Sequence, residues 1–197
     1  MRDTPAPEMI RSFLALEISD AAKDWIEERS REMKHGVKGS VRWVKREALH
    51  ITLHFFGNIP RRAIETVEAI MLPLTTEFSP FLLKVKGVGA FPSFRNPRVL
   101  WAGVEDMTEG HSLGDFHGRM QDVLNDAGFP IEKRPFVPHV TIGRVKRFSG
   151  LDGKVLRDMP EASPFTVTHL TFFRSDLTPK GPIYQPLNRF SFGGKEA

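Results

Sequence analysis

A chain of 197 residues, 40% of them hydrophobic, is long enough to bury a core as one large domain or two small lobes. The absence of Cys excludes disulfides, thiol nucleophiles and cysteine metal sites, while the formal net charge of +4 favours a polyanionic partner without identifying one. No apolar run reaches the length of a membrane span, and the opening Met1-Arg2-Asp3-Thr4-Pro5-Ala6-Pro7 lacks the apolar stretch of a signal peptide, so a cytoplasmic protein is expected.

Phe13 to Ile18 reads as the first strand. Asp20 is placed as the cap of a helix over Ala21 to Met33, with Ala22, Trp25, Ile26 and Met33 near one face. Strands follow at Val41 to Val44 and His50 to Phe56. Pro60 then opens a helix to Leu72 that carries Ile64, Val67, Ala69 and Ile70. Strands at Phe81 to Ala90 and Arg98 to Val104 precede a long helix over Gly110 to Ala127, for which Gly128 is the expected C-terminal cap. Strands at His139 to Val145, Phe165 to Arg174 and Ile183 to Phe192 complete the series. No linker rich in Pro, Gly or Ser divides the chain, so residues 1–197 are expected to form a single two-lobed domain. Residues 1–8 and 193–197 are read as mobile tails.

One short pattern occurs twice, as His50-Ile51-Thr52-Leu53 and His139-Val140-Thr141-Ile142. Alternate side chains of a strand share a face, so each His would stand with its Thr, roughly 7 Å apart, while the aliphatic residues enter a core. Facing each other across a cleft, two such strands supply a neutral His as general base, a protonated His as general acid, and two hydroxyls for anionic oxygens. That equipment suits in-line displacement at phosphorus without a metal. A third copy, His169-Leu170-Thr171-Phe172, has strand-forming sequence on both sides and reads as a sheet residue. The first two follow polar or Pro-containing turns, which places each His near the start of its strand. The 89-residue separation of the two motifs in similar settings suggests a pseudo-twofold arrangement.

The chain resembles the 2H phosphoesterases, most closely the RNA 2',3'-cyclic phosphodiesterases also called 2'-5' RNA ligases. The resemblance runs through Arg11-Ser12-Phe13-Leu14-Ala15-Leu16, Arg42-Trp43-Val44, and the first motif extended to Gly57. It continues through Phe91-Pro92, Pro97 to Val104, Phe136 to Arg144, Phe172 to Leu177 and Gly181-Pro182-Ile183-Tyr184. It departs at His54, where relatives often carry Lys or Gln, and in the eight residues before Met9, where relatives usually begin. The resemblance implies an α+β, bilobal pseudo-twofold fold with two antiparallel sheets facing a central groove and helices outside. It implies hydrolysis of RNA 2',3'-cyclic phosphate ends to 2'-phosphates, with His50 as proton donor, His139 as proton acceptor, and reversible 2'-5' ligation as the companion reaction. Thr52 and Thr141 would bind phosphate. Arg144 matches the arginine that closes the second motif, although in a regular strand it faces away from His139 and needs a bend or a long reach.

Around this site Lys45 and Arg46 precede the first motif, Lys133 and Arg134 the second, and Lys146 and Arg147 follow it. As a cluster they suit phosphate steering; singly they are ordinary solvated cations. Phe13, Trp43, Phe94 and Tyr184 are candidate base-stacking partners, although most of the 16 Phe must serve the core. Of these, Phe13, Lys45, Arg46, His54 and Tyr184 are carried forward as RNA contacts. His54 shares the face of His50 and Thr52 in a regular strand, and so either touches RNA or is an exposed substitution without consequence. His50 and His54 would diverge along a strand, and His111 and His117 face different ways on a helix, so neither a metal nor another cofactor is expected. The expected partner is an RNA end, with no membrane contact and a monomeric state. The alternatives are a phosphodiesterase of small cyclic nucleotides or 2',5'-oligonucleotides, and a non-catalytic RNA-binding module.

Overall fold

A computed structural model describes residues 8–110, 112–153, 161–179 and 181–193. Nine strands and three helices follow in the order β1 (Met9–Glu17), α1 (Asp20–Gly36), β2 (Val37–Trp43), β3 (His50–Pro60), α2 (Arg62–Thr76), β4 (Phe81–Phe91), β5 (Val99–Asp106), α3 (Leu113–Asp126), β6 (His139–Leu151), β7 (Phe165–Val167), β8 (His169–Thr178) and β9 (Gly181–Ser191). A short 3-10 turn, Arg46–Ala48, introduces β3. Glu8 and Gly193, at the edges of the expected tails, are hydrogen-bonded to Arg61 and Thr75; residues 1–7 and 194–197 lie outside the described residues.

All strand pairs are antiparallel, in the order β7-β4-β5-β6-β3-β1-β8-β9, with β2 added to β6. The expectation of two separate sheets is corrected by one register pair. Ile51 of β3 faces Val140 of β6, and through this contact two half-sheets become one continuous sheet. Beyond it the strands part, β3 following β1 and β6 following β5 and β2.

The helices lie on one face. Trp25, Ile26 and Met33 of α1, Val67, Met71 and Leu74 of α2, and Phe116, Met120 and Leu124 of α3 join Leu14, Leu16, Ile51, Leu100, Val140 and Phe172 in one buried cluster. Burying such side chains contributes about 1.5–3 kcal/mol each. The other face bears a small buried cluster of Phe13, Ala15 and Phe173 with Tyr184 beside it. The motif histidines share that face.

Several boundaries move for identifiable reasons. Ser19, not Asp20, caps α1 by accepting from the Ala22 amide at 3.2 Å. Pro60 ends β3 instead of opening α2, and α2 passes through Pro73 because Met71, Leu74 and Thr75 are buried on its inner face. A reciprocal Ser112 and Asp115 box starts α3, and Gly128 follows its end at φ +83°. The run expected as one strand from Phe165 to Arg174 breaks at Thr168, since β7 pairs with β4 in one half while β8 pairs with β1 and β9 in the other. His169 therefore begins a strand, exposed, with Thr168 Oγ1 2.7 Å from its Nδ1.

Candidate active site

Because Ile51 and Val140 are fully buried on the helix side, their neighbours His50, Thr52, His139 and Thr141 stand on the open side. The antiparallel sense sets His50 on the Thr141 side of the seam and His139 on the Thr52 side, so the imidazoles lie on a diagonal. His50 Nδ1 is 2.9 Å from the Ala48 carbonyl, and His139 Nδ1 is 2.7 Å from the Val137 carbonyl. A carbonyl can only accept, so both rings donate from Nδ1 and keep Nε2 for chemistry. In the neutral ring, Nε2 of His50 accepts from the Thr52 hydroxyl at 3.0 Å.

Burial pushes the His50 imidazole down to about 4, and the nearby charges of Arg144 and His139 act in the same direction. Phe13 stacks on the same ring at a centroid distance of 4.8 Å, and Tyr184 meets it edge-on at 5.2 Å. Phe13 is 3% exposed, so its ring supports His50 and is not open to a base, which corrects the expected RNA contact. Tyr184 is half-buried, and burial raises its phenol pKa against the opposing charges of Arg144 and Arg11. On the other side Phe91 lies edge-on to His139 at 5.1 Å.

Both motif strands bulge immediately after the Thr. In β3, Ala15 pairs with Thr52 and Leu14 with His54, which leaves Leu53 as the extra residue. In β6, Trp101 pairs with Thr141 and Leu100 with Gly143, which leaves Ile142 extra. A bulge reverses the alternation beyond it. Arg144 thereby returns to the face of His139 and Thr141, close enough for its charge to act on His50. Among the described residues, no carboxylate lies within ion-pair distance of Arg144.

The same reversal sends His54 to the opposite face, which overturns both of its expected settings. His54 is 5% exposed, packed on Phe56, with its Nδ1 3.1 Å from Gln121 Nε2 of α3, and burial pushes its pKa to about 4. His117, one turn earlier on α3, stacks flat on Phe136 at 3.9 Å, and the neighbouring Leu53 backbone acts to raise its pKa against the lowering by burial. One imidazole on α3 thus lies beside the bulge of the first motif and on the segment leading to the second.

Arg46, an expected RNA contact, is engaged by three carboxylates of α1. Its guanidinium is 2.6 Å from Asp24, 2.9 Å from Glu27 and 3.2 Å from Asp20, tying the turn before His50 to α1. Lys45 is exposed beside it. Among the described residues, no group of three or more His, Asp or Glu side chains is arranged to hold a metal ion.

Duplicated proton-transfer groups beside hydroxyls, and a guanidinium without a carboxylate partner among the described residues, are the equipment that phosphoester chemistry uses. The chain belongs to the phosphoesterase family described as LigT like Phosphoesterase, which it matches over residues 16–101 and 108–184. It is 34% identical over 183 residues to the RNA 2',3'-cyclic phosphodiesterase of Archaeoglobus fulgidus, covering 92% of this chain and 99% of that protein. The protein of the same name from Thermotoga maritima is 32% identical over 188 residues, covering 94% and 97%. A solved Thermus thermophilus structure superposes with a TM-score of 0.74 at 26% identity, covering 95% of this chain and all of that one. Escherichia coli LigT complexed with 3'-AMP shares the fold, with a TM-score of 0.72 at 21% identity and coverage of 95% and 100%. No described helix is long and apolar enough to cross a membrane.

Proposed function

We propose that this protein hydrolyses the 2',3'-cyclic phosphate at an RNA end to a 2'-phosphate by metal-independent acid and base catalysis between His50 and His139. The observation that carries the reading is the matched setting of the two rings. Each donates Nδ1–H to the carbonyl two residues earlier, stands beside its own Thr, and precedes a bulge. The two halves are taken to be related by a pseudo-twofold axis through the Ile51 and Val140 pair, and the phosphate to lie across that axis.

His139 accepts a proton from water as the water oxygen attacks phosphorus. His50 donates its proton to the departing 3'-oxygen, so the P–O3' bond breaks and a 2'-phosphomonoester remains. Thr52, Thr141 and Arg144 hold the non-bridging oxygens as charge gathers there. In the free site His50 is neutral near pH 7, and an anionic phosphodiester bound beside it favours uptake of the proton it must give. A 5'-hydroxyl attacking phosphorus in place of water, with the same cleavage of P–O3' and protonation of the 3'-oxygen, gives a 2'-5' linkage, and ~55 M water competes with it.

The test is product analysis after incubation with an oligonucleotide ending in a 2',3'-cyclic phosphate, with and without EDTA. A 2'-phosphate end formed at equal rates in both is expected. A 3'-phosphate product, or loss of activity in EDTA that one divalent ion restores, refutes the mechanism.

A further inference from the structure

Positive charge is neutralised unevenly over this molecule. Arg29, Arg46, Lys84, Arg174 and Arg189 are ion-paired to carboxylates. Strands β2 and β6 carry Lys38, Arg42, Arg144, Lys146 and Arg147 and not one Asp or Glu. Among the described residues, no carboxylate lies within ion-pair distance of any of these cations.

Strand pairing sets where they point. Val41 and Trp43 of β2 and Val145 of β6 pack against the helix-side core. Arg42 and Arg144, which face each other across the ladder, therefore stand on the open side with the motif histidines. Strand β2 keeps its alternation, because the extra residues of both irregularities, Lys146 and Ser149, belong to β6. Ser40, its partner Arg147, and Lys38 consequently share the face of Arg42. Lys38, Arg42, Arg144 and Arg147 are all exposed.

The stripe starts at the seam between the motifs and leads away from it. Arg144 lies close enough for its charge to act on His50 and Tyr184. Arg42 reaches to the turn that opens β9, where a Cβ on Gly181 would lie 3.2 Å from its Nη2. From the pair of Arg42 and Arg144 to that of Ser40 and Arg147, and on to Lys38, each step is two residues of β2, or ~7 Å. That is close to the spacing of consecutive phosphates in an extended single strand, whose backbone is tracked by grooves of positive charge. Cations on an edge strand also discourage strand-to-strand association, but that role needs only β2 and leaves Arg147 unexplained.

We propose that the open face of the β2 and β6 ribbon is a track for the single strand of RNA that ends in the cyclic phosphate, with Arg42, Arg147 and Lys38 holding successive backbone phosphates upstream of the reacting one. The track rests on the phosphodiesterase reading for its substrate. It confers a preference for oligonucleotide ends over mononucleotides, and it is indifferent to base because phosphates carry no sequence.

The experiment compares kcat/KM for uridine 2',3'-cyclic phosphate with that for a uridine tetranucleotide that ends in the same group and carries three internal phosphates. In the wild type the tetranucleotide is expected to be favoured on the order of 10-fold, with a log-log salt dependence steeper by about 2, at about 0.7 for each phosphate neutralised. Arg42→Gln, Arg147→Gln and Lys38→Gln should each lower the preference and take about 0.7 from the slope, and the triple variant should abolish both. These side chains are exposed, so their replacement is not expected to unfold the protein. A wild-type preference within twofold of unity, a triple variant that keeps the preference, or an equal loss on both substrates overturns the track. Fluorescence anisotropy with a labelled uridine tetranucleotide ending in a 2'-phosphate reads the track without turnover, with a glutamate peptide of equal charge as competitor. The triple variant should bind the tetranucleotide about 10-fold more weakly than the wild type. Equal binding overturns the proposal, as does a glutamate peptide that competes as well as unlabelled tetranucleotide. A wild-type protein that turns over neither substrate refutes the phosphodiesterase reading instead, and the anisotropy comparison still decides the track.

Discussion

His50 and His139 carry the proton transfers in the proposed reaction, and each replacement by Ala should lower turnover by a factor on the order of 10² to 10⁴. His169→Ala should leave it unchanged, because His169 opens β8 beside Ser191 and not at the seam. Equal damage at His169 with a dispensable His50 or His139 contradicts the choice of histidines. The free site also makes a spectroscopic prediction. Burial and two neighbouring cations hold His50 down to about 4, so its NMR titration should have a midpoint near that value. Arg144→Ala removes one repulsion and should move the midpoint up, as should saturating inorganic phosphate. A bell-shaped kcat/KM profile follows from the need for one ring neutral and one protonated, with limbs that belong to the coupled pair. Sequence alternation was enough to place His50 and Thr52 together, and His139 and Thr141. It was insufficient beyond the Thr, because a bulge depends on how the partner strand is paired. His54 was consequently placed on the wrong face, and Arg144 was left needing a bend or a long reach, of which the Ile142 bulge supplies the bend.

Helix α3 stands where the two motif strands have least to hold them together. Between β3 and β6 there is a single register pair, yet His117 lies near the Leu53 backbone and stacks on Phe136, three residues before His139. His117→Ala is therefore expected to lower kcat on the order of 10-fold with little change in KM, measured well below the melting temperature of the variant. Met120→Ala on the same helix is the control for general loosening. Met120 is fully buried, and truncating such a side chain costs about 2–5 kcal/mol. If Met120→Ala lowers kcat as much as His117→Ala at the same folded fraction, the effect belongs to packing and not to the contact with the motifs. The helices themselves were legible from apolar spacing and Gly128, while the Ser112 and Asp115 box that starts α3 went unread. The break at Thr168 was not, since Phe165 to Arg174 has uniform strand propensity, and only the separate partners β4 and β1 divide it.

At the scale of the whole molecule, two buried imidazoles on opposite faces of one sheet make stability depend on pH. His50 and His54 both have folded-state values of about 4, against an ordinary value near 6.5 in an unfolded chain. The unfolded state therefore binds protons first as the pH falls. Stability is fully present above pH ~6.5 and is lost progressively down to pH ~4, at up to ~3 kcal/mol for each group. The slope of unfolding free energy against pH counts the protons taken up on unfolding; between these limits His50 and His54 together should contribute nearly two, and His117, which burial also lowers, adds to them. Urea titrations from pH 7.5 to 4.5 measure it. His54→Gln removes one titrating group and should reduce the slope by about one proton, whatever the variant's absolute stability. His50→Ala should remove the other. Saturating inorganic phosphate binds only the folded site and raises the His50 pKa there, so it should reduce the slope in His54→Gln, where His50 still titrates, more than in His50→Ala. A slope equal in wild type and both variants would mean that neither histidine is kept neutral by folding.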